Sequence, residues 1–518
     1  MVVSNASWLR MINRLEIQNP KLMKRLLPLL CLSSTLLAAD RPNVLLICVD
    51  DLKPTIGCFG DSHARTPHID RLAKRGVAFQ RSYVQQAVCA PSRNALMTGL
   101  RPDQIGVYDL ATWFRHGAKD VVTLSQRFIQ AGYHAESLGK IYHRGHGNVI
   151  DPASWSVKFW YPSGGSPAAV TTGGPKPPPG AKLNPRAQPN GRPRGPAWGW
   201  PDETDEKFGD GKLARHAADR LAALAKEGKS FFLGVGFARP HLPFIAPKRY
   251  WDLFDPAKLP VHPTNAGLPK DAPRFAGQDS GELRSYSDIQ ATGPLTPEQA
   301  RTMVHGYYAS TAFVDAQIGV VLDSMDRLGL WKNTIVVLWG DHGWHLGDHG
   351  IWCKHTNFEQ AAHNPLIIAA PGKTAGKPSE ALVQTVDLYP TLCALAGLEP
   401  PAGLPGKSLV PILDDVTNKV HDAVFHVYPR GTPSGPGLGR AIRTERYRYV
   451  EWRVWKSGEV VGRELYDYKT DAAETENLAG RQEHAALVKE MAARIAALGP
   501  AKPPVEKDST LIEPTGAN

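Results

Sequence analysis

Cysteine is scarce in this chain: six residues in 518, or five if residues 1–39 are removed as a leader carrying Cys31. An odd number of thiols argues against a disulfide framework. Cys48 lies in an apolar run and Cys393 on the face of an expected helix, so both read as buried thiols. The surroundings of Cys58 and Cys353 leave their roles open, and only Cys89 has neighbours that call for chemistry. Long apolar runs are also missing. The candidate, Leu26 to Leu37, follows Met23-Lys24-Arg25 and precedes Ala38-Ala39. It is too short for a stable membrane span and has the layout of a secretory signal peptide. Residues 1–39 are therefore expected to be a bacterial-style signal peptide, with translation starting at Met23 and a periplasmic or secreted location. Leu30 before Cys31 argues against a lipoprotein anchor. The sequence shows no internal repeats.

Basic residues outnumber acidic ones, 60 to 50, for a formal charge of +10. Residues 1–39 hold five Lys or Arg and one Glu, so the remainder sits near +6. That balance suits an anionic substrate, but a diffuse surface excess explains it equally well. Nothing beyond it points to nucleic acid, and none is expected as a partner.

Hydrophobic residues make up 42% of the chain, ample for a core, and its length implies one large domain with a smaller one. Short apolar runs at Val44 to Val49, Tyr133 to Ser137, Phe231 to Phe237, Ile335 to Trp339 and Leu366 to Ala370 alternate with helical stretches at Ile69 to Lys74, Lys212 to Lys226 and Pro297 to Leu328. This alternation predicts an α/β fold, a mostly parallel sheet flanked by helices. Residues 161–201 break it with 19 Gly or Pro among 41 residues and read as an insertion in a catalytic domain spanning 40–420. Beyond it, residues 421–518 suggest a smaller C-terminal α+β domain with an antiparallel sheet. Its runs are Val424 to Tyr428, Ala441 to Trp452 and Glu464 to Tyr468, followed by a helix near Glu483 to Leu498.

Three carboxylates fall where strands should end: Asp50 and Asp51 after the first run, Asp341 after Ile335 to Gly340. Open α/β sheets place their sites at such ends. Adjacent Asp residues repel unless a cation joins them, and all-oxygen ligation suits Ca²⁺ or Mg²⁺ rather than zinc. A bare Asp-Asp pair is weak, since capping explains it too. It gains from Gly340-Asp341-His342-Gly343-Trp344-His345-Leu346-Gly347-Asp348-His349-Gly350, with Lys354 close behind.

The most specific string is Cys89-Ala90-Pro91-Ser92-Arg93, running on to Leu96-Met97-Thr98-Gly99. It resembles the modification site of type I sulfatases, in which that Cys is oxidised to formylglycine. Further shared wording covers Val44 to Cys58, Gln85 to Arg93, Arg101-Pro102-Asp103, Gly139-Lys140 and Asp341 to Gly350. Towards the C-terminus Val386 to Leu392, Gly406-Lys407-Ser408-Leu409 and Glu464 to Asp467 fit as well. Within the family the wording is most like the iduronate-2-sulfatase branch. The resemblance implies an alkaline-phosphatase-like fold and a sulfuric ester hydrolase.

By that resemblance Asp50, Asp51, Asp341, His342 and the modified Cys89 surround a Ca²⁺ ion. Many sulfatases have Asn where His342 stands, and a nitrogen ligand is less natural for a hard cation, so His342 could instead be a donor behind the ligands. Arg93, Lys140 and Lys354 supply the positive charge that a sulfate ester and its transition state require. Pro91 suits a first helical residue, which would set Cys89 at a helix N-terminus. His241 protonates the leaving alcohol, and His143 takes the proton that lets sulfate depart. His63, His68, His116, His146, His305, His363 and His426 are left as structural or exposed, and His345 and His349 as shaping the metal loop.

The expected substrate is a sulfated saccharide, a glycosaminoglycan or algal polysaccharide fragment, and a formylglycine-generating enzyme is the implied maturation partner. Trp113, Arg115, His116 and Arg239 are candidate substrate contacts, each with an ordinary structural alternative. Phosphonate or phosphate ester hydrolysis is the first alternative, because enzymes of the same superfamily share the modified Cys and the metal pocket. A catalytically silent carbohydrate-binding relative is the second.

Overall fold

The computed structural model describes residues 41–163, 178–180, 182, 195–261 and 267–511. The expected signal peptide and most of the Pro/Gly-rich insertion lie outside these residues. Leaving aside single-turn helices and two-residue strands, the order is β1 (Asn43–Val49), α1 (Pro67–Ala73), β2 (Val77–Tyr83), α2 (Cys89–Thr98), α3 (Leu124–Gln130), β3 (His134–Gly139), α4 (Gly209–Glu227), β4 (Phe231–Phe237), α5 (Pro297–Arg327), β5 (Thr334–Gly340), β6 (Leu366–Ala369), β7 (Lys377–Gln384) and α6 (Leu388–Leu395). Then come β8 (Ala423–Thr432), β9 (Gly435–Thr444), β10 (Tyr447–Val454), β11 (Val460–Asp467) and α7 (Ala485–Ala496).

The main sheet has seven strands in the order β7-β2-β6-β5-β1-β4-β3. Only β6 runs against its neighbours; the other pairings are parallel. A near-continuous apolar strand such as β1 fits this setting because both faces are covered. Its alternating side chains separate two cores. Val44, Leu46 and Cys48 pack with Leu96 of α2, Phe128 of α3 and Leu392 of α6. Leu45, Ile47 and Val49 pack on the other face with Leu72 of α1, Leu221 of α4 and Ile318 of α5.

The sequence-expected runs match β1, β3, β4, β5 and β6 and helices α1, α4 and α5 to within a few residues at each end. One run is corrected: Ala441 to Trp452, read as a single segment, is the hairpin of β9 and β10, with Arg443 opposite Arg448. The intervening Glu445-Arg446 carries neither Gly nor Pro, so no turn signal marks it. Strands β8 to β11 form an antiparallel meander in sequence order. Helix α7 covers one face with Met491 and Ile495 on Ile442, Tyr449 and Leu465. Both sheets belong to one compact unit that begins at Asn43.

Hydrogen bonds and ion pairs fasten the meander to the connections that follow β2 and β5. The Val427 amide donates to the Gln85 carbonyl at 2.8 Å. Arg448 donates to the Asn357 carbonyl at 2.7 Å. Arg448 and Arg443 both reach the Glu359 carboxylate. The far end of β8 reaches the site described next, where Arg430 donates to the His355 carbonyl.

Candidate active site

Four neighbouring parallel strands, β5, β1, β4 and β3, end at the same edge of the main sheet. Their C-terminal continuations carry Asp341-His342, Asp50-Asp51, Arg239 to His241 and Lys140 to His143, respectively. The register enforces the meeting: the Asp50 amide donates to the Phe237 carbonyl and the Asp341 amide to the Val49 carbonyl. Gly139, at φ 69°, and Gly236 let β3 and β4 close up here. A Cβ on Gly139 would strike the Gly236 carbonyl, and one on Gly236 would strike the Lys140 backbone. The turn after β1 is held from α5, where the Tyr307 hydroxyl accepts from the Lys53 amide and donates to the Asp51 carbonyl, both at 2.8 Å.

Helix α2 contributes Cys89, Ser92 and Arg93. It starts at Cys89, with Val88 as N-cap and the first closing bond from the Ser92 amide to the Val88 carbonyl. Pro91 is thus the third helical residue rather than the first. Its missing N–H still costs nothing, because first-turn donors have no partner within a helix. All ten residues of α2 are buried, which places Arg93 inside the carboxylate cluster. Arg93 Nη2 lies 2.8 Å from Asp50 Oδ1 and 3.0 Å from Asp341 Oδ2, and its other nitrogen caps the Lys140 and Ile141 carbonyls. Lys140 Nζ contacts Asp50 Oδ2 and stands 3.8 Å from Cys89 Sγ. Lys354 Nζ bridges Asp51 at 3.0 Å and Glu282 at 2.9 Å, above the Trp344 ring. His342 Nε2 is 3.5 Å from Cys89 Sγ and 3.4 Å from Asp51 Oδ1. His241 Nε2 faces Glu282 at 3.2 Å and Asp51 at 3.9 Å.

The structure thus brings Asp50, Asp51, Cys89, Arg93, Lys140, His241, Asp341, His342 and Lys354 into one connected cluster. His143 stands at its β3 side, 7% exposed, with Nε2 bonded to His146 and Nδ1 without a partner. Three other sequence candidates are structural. Arg115 is committed to Asp151 at 2.6 and 2.8 Å, the His116 ring accepts from the Asp508 amide, and Trp113 is buried in the core. Arg239 shapes the His241 loop by donating to the Ile245 and His241 carbonyls, while Asp210 of α4 accepts the Ala238 and Arg239 amides. Sequence reasoning missed Glu282, which sits in an irregular stretch far from any motif. It also missed the reach of Ser92 Oγ to the Asp341 carbonyl, although Ser92 belongs to the Cys89 string.

Charge balance sets the protonation. Burial would raise Asp50, but Lys140, His241 and Arg93 outweigh it and hold this carboxyl well below its usual range. For Asp51 burial outweighs Lys354, with Asp50 adding to it, and the carboxyl is pushed up to about 7. Burial opposes a charged Lys140 and Lys354, yet their carboxylate partners raise both ammonium groups. Burial and then Lys354 push His241 down to about 4. Burial and then Lys140 push His143 down to about 2.

Among the described residues two overlapping groups each hold ligand atoms within 4.8 Å of one another: Asp50, Asp51, Cys89 and His241, and Cys89, Asp341 and His342. Three of the six donor residues are carboxylates, the oxygen ligands that suit a hard dication. The same edge offers two ammonium groups and a guanidinium, so an oxyanion can be neutralised beside it.

Comparison with known proteins agrees with this chemistry. The sulfatase family model matches residues 42–398, and the model described as N-sulphoglucosamine sulphohydrolase, C-terminal, matches residues 347–500. The chain is 32% identical to iduronate 2-sulfatase of Mus musculus, over 87% of this chain and 93% of that protein. A structure solved in complex with its substrate D-glucosamine-2-N,6-O-disulfate superposes with a TM-score of 0.68 at 22% identity, covering 89% of this chain and 97% of that one. The phosphonate monoester hydrolase of Silicibacter pomeroyi gives 0.68 at 25% identity, covering 88% and 95%. The architecture is the alkaline-phosphatase-like fold.

Proposed function

The chain belongs to the sulfatase family, and from that premise we propose that it hydrolyses a saccharide sulfate ester through a formylglycine made from Cys89 beside a bound Ca²⁺. It is a sulfuric ester hydrolase; the sugar, the modification and the ion are the proposal. A uronate 2-sulfate, or a related ester in a glycosaminoglycan or algal polysaccharide fragment, is the substrate favoured by the likeness to iduronate 2-sulfatase. The observation that carries the reading is Cys89 at the first turn of α2, facing carboxylates and cations contributed by separate strand ends.

Asp50, Asp51, Asp341 and residue 89 are the proposed ligands, with His342 beside them. The ion would polarise the oxygen on residue 89 and neutralise sulfate charge. Formylglycine supplies a hydrated aldehyde, one hydroxyl of which is the nucleophile toward sulfur. Lys140 and Lys354 flank that position and pair with the sulfate oxygens. Arg93 fixes Asp50 and Asp341. His241 delivers a proton to the departing sugar oxygen, and His143 accepts the proton of the remaining hydroxyl so that sulfate is released.

Maturation in this reading needs a formylglycine-generating enzyme and export under the N-terminal signal. Among the described residues no helix is long and apolar enough to cross a membrane. A phosphonate or phosphate ester hydrolase is the second reading, favoured by the likeness to the Silicibacter pomeroyi enzyme. A silent carbohydrate-binding relative is disfavoured, since every residue type that the chemistry needs is present. The deciding assay measures sulfate and phosphate release from defined esters, with residue 89 checked by peptide mass. Sulfate release from one sugar position supports the proposal. Phosphate release alone, from protein carrying formylglycine, overturns it.

A further inference from the structure

His146 has no place in the cluster described above, yet it is the hydrogen-bond partner of His143. His143 Nε2 and His146 Nδ1 are 3.1 Å apart, and the rings stack with centroids 5.3 Å apart and planes 24° from parallel. His146 lies on an exposed loop at φ 55°, between Gly145 at φ 115° and Gly147 at φ 87°. A left-handed conformation is unfavourable for a side chain of this size, so something must hold it. The loop is closed by the Asn148 amide on the Gly145 carbonyl and by the Asn148 side chain on the Leu110 carbonyl at 3.1 Å. Arg144 lies over the Tyr161 ring. The backbone is thus bent to bring one exposed imidazole over a buried one.

We propose that His146 is a positioning residue that fixes the tautomer of His143, leaving His143 Nδ1 as the base. This rests on the reading of His143 given under the proposed function. The pair shares one hydrogen between Nε2 and Nδ1. If His146 supplied it, the proton of neutral His143 would sit on Nδ1, which is buried and has no acceptor. If His143 supplies it, Nδ1 carries a lone pair instead, which is what proton uptake requires. Buried N–H groups without a partner are rarer than buried acceptors without one, which selects the second arrangement. The other charged groups felt by His143 are Lys140, Asp50 and Arg93. Lys140 and Arg93 oppose a resident positive charge, so the ring works as a transient acceptor.

In the step concerned, the hydroxyl proton passes to His143 Nδ1. The electron pair of that O–H bond closes the carbonyl, and sulfate leaves with the electrons of the breaking C–O bond. A nucleophile or base held by a third group through its far nitrogen is a recurring device. Here the third group is an imidazole that would accept through Nδ1.

Two readouts test this. Nitrogen-15 NMR of the protein with Cys89 unmodified reports the tautomer directly. The expected result is His143 protonated on Nε2 in the wild type, and a mixed or reversed tautomer in His146→Ala. An unchanged tautomer in His146→Ala overturns the proposal. In protein carrying formylglycine, an aryl sulfate separates the two halves of the reaction. His146→Ala should release about one equivalent of phenol in a burst and then turn over about 10- to 100-fold slower than wild type. His146→Asn, whose Oδ1 can replace Nδ1 as acceptor, should recover much of that loss. Steady-state slowing with no burst, or equal losses in both variants, counts against it. If wild-type protein with formylglycine releases no sulfate from the aryl ester or from the defined saccharide esters, the proposed function fails while the NMR result still judges His146.

Discussion

Lys354 is gripped between two acidic side chains, and the backbone on either side of it is unusual. Cys353 and His355 have φ of 84° and 68°, a region that L-residues seldom occupy, and Asp51 opposite has 59°. Strain of this kind persists only where the surroundings over-determine it, and it gathers at functional sites. Removing Lys354 would leave the buried Asp51 and the half-buried Glu282 without this cation. Lys354→Ala should therefore destabilise the fold by about 3–5 kcal/mol in denaturant unfolding, and adding Glu282→Gln should recover part of that loss. Cys89→Ala removes little volume but takes away the proposed nucleophile. Its sulfate release should fall by at least about a thousandfold, with a circular dichroism melt close to that of wild type.

At the scale of elements, the close approach of β3 and β4 sets where Lys140 stands. Gly139→Ala would drive a methyl group into the Gly236 carbonyl from a left-handed backbone. The expected cost is about 1–3 kcal/mol, accompanied by a loss of kcat that exceeds what the fraction of folded protein explains. The seam between the main sheet and the meander makes a pH prediction. Burial would raise Glu359, but Arg443 and Arg448 outweigh it and hold its carboxyl far below the ordinary value of 4.5. A depressed folded value means the stabilisation is complete above that ordinary value and drains away as the pH falls below it. Melting temperature should drop on the acid side, and Glu359→Gln should flatten that slope while lowering stability at neutral pH. Several of these elements were legible beforehand. Parallel strands buried on both faces, such as Phe231–Phe237, announce themselves as unbroken apolar runs. Strand β7 (Lys377–Gln384) did not, because its first half is polar and largely exposed at the sheet edge. The turn between β9 and β10 was hidden because two charged residues can make it without Gly or Pro.

For the whole molecule, the carboxylates meet only because the chain returns to the same sheet edge several times. An ion that binds the folded state alone should stabilise it by mass action, about 2.7 kcal/mol at a hundred times its dissociation constant. Thermal melts should therefore rise with added Ca²⁺, rise less with Mg²⁺, and fall after chelation, in parallel with sulfate release. A melt indifferent to Ca²⁺ and to chelator would count against the proposed ion. The sequence by itself marked five of the seven strands of the main sheet and three of the helices that flank it. It also marked the local strings around Cys89 and Asp341, because period, turn chemistry and motif spacing are short-range properties written in neighbouring residues. Only the tertiary structure decided that Glu282 stands between Lys354 and His241, that Arg115 serves Asp151, and that His146 lies on His143. Each of these depends on distances set by packing and strand register across residues with no common motif, and so on the folded chain as a whole.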